Sequence, residues 1–215
     1  MNLFDYVGDR WSRLSLQAWL HVSEVVQATL LAAVIGILIG VAVYASPLGS
    51  ALATALASTI LTIPSFALIG LLIPLFGLGV IPSMIALVLY ALLPIVRNTI
   101  VGLGAVDPAV TEAAKGIGMS RFGVLTRVEL RLAWPTILTG MRVSTQMLMG
   151  LAVIAAYAKG PGLGSEVFSG LTRAGSANSL NQALAGTLGV VILALILDGI
   201  YVLIARFTVP RGVRV

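Results

Sequence analysis

The 215-residue sequence has no cysteine, a single histidine and little charge, with Asp, Glu, Lys and Arg together making up 10% of it against 59% apolar residues. Without cysteine there can be no disulfide and no thiolate metal centre, and His21 alone supports neither a histidine metal site nor a nucleophile relay. A water-soluble domain carries about 25% charged residues, so an ordinary globular enzyme is excluded. The scarcity is also local: no Asp, Glu, Lys, Arg or His occurs anywhere in residues 25–96. At roughly 20 residues per bilayer crossing, that stretch alone holds about three helices.

What charge there is leans positive, at a net +5. A nucleic-acid partner is excluded because the basic residues, nearly all Arg, are strung along an apolar chain instead of being gathered on one soluble face. Lipid head groups account for them better. Asp5, Asp9, Arg10 and Arg13 precede any apolar run, which does not fit a cleavable signal, and the N-terminus is expected to be retained.

Five apolar runs stand out, over residues 25–45, 51–76, 81–103, 136–157 and 183–205. Each is long enough to span, and in lipid each must be helical to satisfy its own backbone. The expected fold class is therefore all-α, a polytopic membrane protein with five transmembrane helices. Turn residues separate the runs: Ser46-Pro47, then Gly77-Leu78-Gly79 with Pro82, and later Gly160-Pro161-Gly162-Leu163-Gly164. Pro64 and Pro74 in the second run and Pro94 in the third are expected to kink their helices. Gly36 and Gly40, flanked by Ala32, offer a surface where a neighbouring backbone can come close.

Three regions follow from this layout. Residues 1–24 form an external segment in which Leu14, Ala18 and Val22 recur on one face beside Trp11 and Trp19, as in an amphipathic helix lying on the membrane surface. Residues 25–207 form the membrane domain, with a charged connection over 104–135, and residues 208–215 a cytoplasmic tail. Placing that connection in the cytoplasm puts Arg97, Lys115, Arg121, Arg127, Arg131, Arg206, Arg211 and Arg214 inside, against Arg10, Arg13, Lys159 and Arg173 outside. Excess basic residues mark the cytoplasmic side, so the N-terminus is expected outside and the C-terminus inside a cell (inner) membrane.

The 104–135 connection has its own local structure. Asp107-Pro108 opens a helix, with a capping side chain and a proline in the first turn; Gly116-Ile117-Gly118 permits a sharp bend; Ser120 caps a second helix. Phe122, Leu125, Val128 and Leu132 are expected on one face of that helix, and Pro135 at the start of the fourth span. Such a helix-turn-helix is suited to touching a partner; the alternative is a basic segment resting on anionic lipid.

Glu112-Ala113-Ala114, three residues, then Gly118, resembles the EAA signature of the membrane subunits of bacterial ABC importers. The family's following Ile-x-Leu-Pro has its counterpart in Val128-Glu129-Leu130-Arg131, with Arg131 in place of the proline. Ile63-Pro64-Ser65, the string from Leu92-Leu93-Pro94 to Arg97-Asn98-Thr99, Val106-Asp107-Pro108 and Pro210-Arg211-Gly212 resemble the branch importing glycine betaine, choline or carnitine. This resemblance implies a methionine-importer-like permease core that works by alternating access. It also implies that Glu112, Ala113, Ala114 and Gly118, with Met119 and Ser120 beside them, couple the membrane helices to separate ABC ATPase subunits. A second permease copy or sister permease and an extracytoplasmic substrate-binding protein would complete the assembly. Gly160, Gly162 and Gly164 are similar to the family's outer-gate segment, although a plain loop fits the same residues.

The residues themselves agree with a foreign motor. Lys115 and Lys159 are each followed by glycine, so no GxxxxGK[ST] loop exists in this chain, and ATP and magnesium would sit on the partner. Arg142 and Asp198 lie at similar depth in the fourth and fifth runs, with opposite signs, and are expected to pair. No residue is expected to perform chemistry or hold a metal, and no aromatic cage for a quaternary ammonium is visible. Two other readings stay open: an importer of the same kind carrying amino acids or another small polar solute, and an ATP-independent channel or secondary carrier. Ion coupling would call for ionisable groups within the spans, and Asp198 is the only carboxylate that falls inside one of the apolar runs.

Overall fold

Apolar sequence becomes helix nearly everywhere, and the departures from the expected layout fall at proline and at the membrane boundary. The structure is a computed structural model that describes residues 2–209, so the Pro210-Arg211-Gly212 string lies outside the described residues. Its α-helices are α1 (Leu3–Asp9), α2 (Trp11–Val43), α3 (Pro47–Thr62), α4 (Ser65–Phe76), α5 (Val80–Gly104), α6 (Pro108–Gly116), α7 (Arg121–Val124), α8 (Leu130–Ala155), α9 (Gly164–Thr172) and α10 (Ser179–Thr208). Four continuous stretches, Trp11–Val43, Val80–Gly104, Arg121–Ala158 and Ser179–Thr208, are long and apolar enough to cross a membrane. The pair α3 and α4, bent by 91°, makes a fifth crossing when counted as one span.

That bend corrects the expectation of one kinked helix over 51–76. Pro64 has no N–H to give and forces Ile63 into extended backbone (φ −70, ψ 126), so the helix stops there instead of bending. The carbonyl freed at Ile63 accepts a hydrogen bond from the Tyr90 hydroxyl of α5. Past the break, Phe66 packs edge-on against Tyr157 and Phe168, so α4 runs across the end of the bundle that carries the glycine-rich loop. Pro74 and Pro94, by contrast, sit inside intact helices.

The N-terminal segment is corrected too. The chain breaks at Arg10, not near residue 24, and α2 runs unbroken for 33 residues, about 50 Å, which exceeds the roughly 30 Å of hydrocarbon. Leu14, His21, Glu24, Ala28, Ala32, Gly36 and Gly40 are buried along one side of it. The supposed surface helix is therefore the N-terminal part of the first span. Glu24 is only 2% exposed, a second carboxylate within a spanning helix besides Asp198.

Helices α2, α5 and α8 form the centre of the bundle, and the closeness of α2 to α5 depends on Gly36 and Gly40. A Cβ built at Gly40 would lie 2.5 Å from Thr99 Cγ2, and one at Gly36 2.8 Å from Ile95 Cγ2. Gly40→Leu is therefore expected to force the two helices apart at a cost of about 1–3 kcal/mol. Thermal unfolding in detergent measures this, with Gly70→Ala, where nothing lies within 4 Å, as the control.

The fourth span also differs from expectation. Pro135 lies inside α8, and α7, a π-helical turn over Leu125–Glu129, α8 and a 3-10 turn over Ala156–Ala158 follow one another as a single 38-residue run. A π-turn adds a residue to the helical cycle and rotates what precedes it. Phe122 is accordingly 75% exposed and Val124 buried, in place of the single face joining Phe122 to Leu125, Val128 and Leu132.

Candidate functional site

At one end of the bundle, α6 and α7 form an elbow whose geometry explains the spacing of its residues. Asp107 Oδ1 accepts the Ala109 N–H at 2.8 Å to start α6, and Ser120 Oγ accepts the Gly123 N–H at 3.2 Å to start α7. Between them, the Gly118 N–H donates to the Lys115 carbonyl (2.9 Å) and the Met119 N–H to the Ala114 carbonyl (3.1 Å). With Gly118 at φ +88, this is a Schellman closure, which ends a helix by turning one residue left-handed. Ala114 is buried while Glu112, Ala113, Gly118 and Ser120 are exposed and Met119 is half-buried. Ile117 and Phe122 protrude beside them at 82% and 75% exposure. Two large apolar side chains thus sit on the most charged part of the chain. The elbow is fastened to the bundle beside the π-turn, where Tyr44 at the end of α2 donates its hydroxyl proton to Glu129 Oε2 at 3.0 Å.

Helices α8 and α10 are laced from this same end. Trp134 Nε1 donates to Thr208 Oγ1 at 2.8 Å. Two to three turns further in, Arg142 meets Asp198 side-on, Nε donating to Oδ1 at 2.6 Å and Nη2 to Oδ2 at 2.5 Å. The two residues predicted to pair are brought together in bidentate geometry, the strong form of a charge-assisted bond. Gln146 donates to the Ala194 carbonyl at 3.1 Å, and the Tyr201 hydroxyl is hydrogen-bonded to Thr145 Oγ1 at 2.9 Å.

The opposite end holds the three loop glycines. A Cβ at Gly164 would lie 2.4 Å from the Val153 carbonyl oxygen, one at Gly162 2.6 Å from His21 Nδ1, and one at Gly160 2.9 Å from the Ala155 carbonyl oxygen. All three residues let the loop lie flat on α2 and α8. Gln17 Oε1 accepts the Gly162 N–H at 3.2 Å, and His21 Nε2, facing the Met149 carbonyl at 3.1 Å, donates to it. Beneath the loop, Ser83 Oγ donates to Glu24 Oε1 at 2.5 Å.

Sequence reasoning missed the clasp that fixes this end. Glu166 on α9 is fully buried, with Arg13 Nε 2.6 Å from Oε1, and Gln182 Nε2 at 2.9 Å and the Tyr6 hydroxyl at 3.5 Å donating to Oε2. Four helices, α1, α2, α9 and α10, meet on one carboxylate. Burial, and then the negative charge of Glu166, hold the Tyr6 phenol above its ordinary pKa, so it remains a donor. Glu166→Ala strands the Tyr6 and Gln182 donors, while Arg13, 52% exposed, recovers water. We expect a loss of about 2–3 kcal/mol, against about 1 kcal/mol for Tyr6→Phe, read from thermal unfolding in detergent. Unchanged stability in Glu166→Ala would contradict the clasp. The only sequence signal was a carboxylate just after a glycine-rich loop.

Against known proteins, residues 32–209 match the family described as "Binding-protein-dependent transport system inner membrane component". The chain belongs to this family. It is 36% identical to the osmoprotectant import permease protein OsmW of Salmonella typhimurium, over 100% of both chains. It is 38% identical to the glycine betaine/carnitine/choline transport system permease protein OpuCB of Bacillus subtilis, over 71% of this chain and 69% of the relative. In fold it is similar to a chain of the MetNI methionine ABC transporter, solved in inward-facing conformations, with a TM-score of 0.77 at 20% identity, covering 92% of this chain and 96% of that one. At that identity the likeness is one of fold. Family membership makes this chain a multi-pass transport subunit of the membrane without catalytic activity of its own.

Proposed function

We propose that this chain is the permease of an ATP-driven importer of osmoprotectant quaternary amines such as glycine betaine, choline or carnitine. Its N-terminus lies outside and its C-terminus in the cytoplasm. The elbow at Glu112, Ala113, Ala114, Gly118, Met119 and Ser120 seats in a separate ATPase subunit, and a second permease copy or sister permease completes the path. An extracytoplasmic substrate-binding protein delivers solute to the outer end, where Gly160, Gly162 and Gly164 belong to the gate.

The observation that carries the reading is the elbow. Exposed apolar groups such as Ile117 and Phe122 on a rigid, charged projection need a partner to cover them. The transport substrates named for the relatives support the solute class, and the excess of Arg and Lys on the elbow side supports the orientation.

The test is reconstitution in proteoliposomes with the ATPase and binding protein encoded alongside this chain. Glycine betaine should accumulate against its gradient only when ATP is supplied. Uptake by the chain without any ATPase would favour a secondary carrier, a reading that the buried Glu24 keeps in view. ATP-dependent uptake of an amino acid, with none of any quaternary amine, would shift the solute class alone.

A further inference from the structure

Between α5, α8 and α10 lies a cavity of about 630 Å³ that the preceding reading leaves without an occupant. Its wall includes Asn98, Thr136, Thr139, Arg142, Tyr201 and Arg206. Thr136 and Arg206 stand near the elbow-side ends of α8 and α10, while Arg142 and Tyr201 lie about one and a half turns deeper. With Leu138, Val202 and Val209 beside these polar groups, the lining is mixed, and a cavity at this depth, reached from the cytoplasmic end, is of the size that takes a small solute.

Among the described residues the charged groups on the wall are Arg142, held by Asp198, and Arg206. The side-on pair uses Nε and Nη2 of Arg142 and leaves Nη1 with no partner among the described residues. Asp198 thereby fixes the guanidinium plane while a pair of N–H donors stays available. Among the described residues Tyr201 is the only aromatic group on the wall, and its hydroxyl is engaged by Thr145.

We infer that this cavity is the cytoplasmic vestibule of the solute path and that Arg142 determines specificity there, taking the carboxylate of a zwitterionic quaternary amine on Nη1. The inference rests on the quaternary-amine reading above and adds a selection within it. Glycine betaine carries a carboxylate one carbon from its trimethylammonium group. The carboxylate meets Arg142 and the methylated cation meets the Tyr201 ring. Choline has a hydroxyl where the carboxylate would be, so it offers Nη1 of Arg142 no anionic group and forgoes the charge-assisted bond. A single aromatic and one shared guanidinium make a weak site, as a conducting path requires.

The absence of cysteine makes the test clean. In the complete importer held in nanodiscs, Thr139→Cys is labelled with a methanethiosulfonate reagent in the presence of glycine betaine or choline. Glycine betaine at twice its dissociation constant should slow labelling about threefold, and choline at the same concentration should not. Adding Arg142→Lys, which keeps the ion pair but has no Nη1, should abolish the protection. If that variant folds poorly, the charge-neutral pair Arg142→Gln with Asp198→Asn serves instead, with the same expected loss.

Equal protection by both solutes, or by neither, overturns the inference. So does slowing that follows the anionic lipid content of the nanodisc and ignores glycine betaine, because the cavity would then hold a phospholipid head group. Uptake assays on the same preparation keep the two claims apart. Uptake of quaternary amines without protection removes the vestibule and leaves the proposed function. Protection by glycine betaine, without uptake of any quaternary amine, does the reverse.

Discussion

Arg142→Asp and Asp198→Arg should each leave little folded permease in the membrane, and the chain carrying both should recover most of it. In either single variant, two like charges face each other where the native oxygens and nitrogens are 2.5 and 2.6 Å apart. The position is well inside the apolar part of α8 and α10, where a charge without a counter-ion is costly and water cannot fully replace the partner. The pair is not sealed, since the Arg142 and Asp198 side chains are 43% and 32% exposed. Their environment is the cavity and its mouth, which is why the double variant can restore the pair without repacking a core. Folded yield by size-exclusion chromatography after detergent extraction is the readout. Failure of the double variant while both single variants also fail would remove the pair as the link between α8 and α10. The same double variant bears on the vestibule: with an aspartate on the wall in place of Arg142, recovered protein should no longer be protected by glycine betaine.

That pair was legible in the sequence because only one acid and one base fall deep within the last two apolar runs, at matching distance from the same end. The elbow was legible because caps, turns and glycine spacing are local chemistry, and local chemistry survives folding. The break at Pro64 was harder to read. A proline in a membrane helix commonly bends it and leaves it intact, as at Pro94, and the difference lies in whether the freed groups find partners. At Ile63 the partner is Tyr90, 27 residues away, and no local pattern points to it.

Glu24 and His21 were obscured for a different reason. Counting charges places the start of the first apolar run at residue 25, so both side chains fall outside it. The four-residue recurrence of small residues at Ala28, Ala32, Gly36 and Gly40 continues backwards through Glu24 and His21 on the buried side of α2. Following that periodicity upstream would have put both in the bundle, whereas hydropathy alone could not, because it averages over faces. The Glu166 clasp joins residues separated by up to 160 positions, and only the folded chain brings them together.

The mechanical role proposed for the elbow predicts the behaviour of Gly118→Val. The variant should insert and fold, yet lose coupled uptake by at least about tenfold, the effect of roughly 1.4 kcal/mol on the productive state. Gly118 has φ +88, a conformation that costs an L-residue about 1–2 kcal/mol and is least tolerated by a β-branched side chain. No neighbouring atom lies within 4 Å of a Cβ built there, so the effect is one of backbone conformation and not of crowding. Once Gly118 leaves the left-handed region, the Met119 to Ala114 hydrogen bond opens and the angle between α6 and α7 is no longer fixed. Ile117 and Phe122 then lose their common orientation towards the partner, although the spanning helices are untouched. Gly118→Asn is the companion variant, because asparagine tolerates this region and should retain most of the uptake. ATP hydrolysis and solute uptake measured on the same proteoliposomes decide the matter. Valine is expected to leave hydrolysis weakly responsive to loaded binding protein, with uptake lost. Full uptake by the valine variant would mean that the angle of the elbow carries no force.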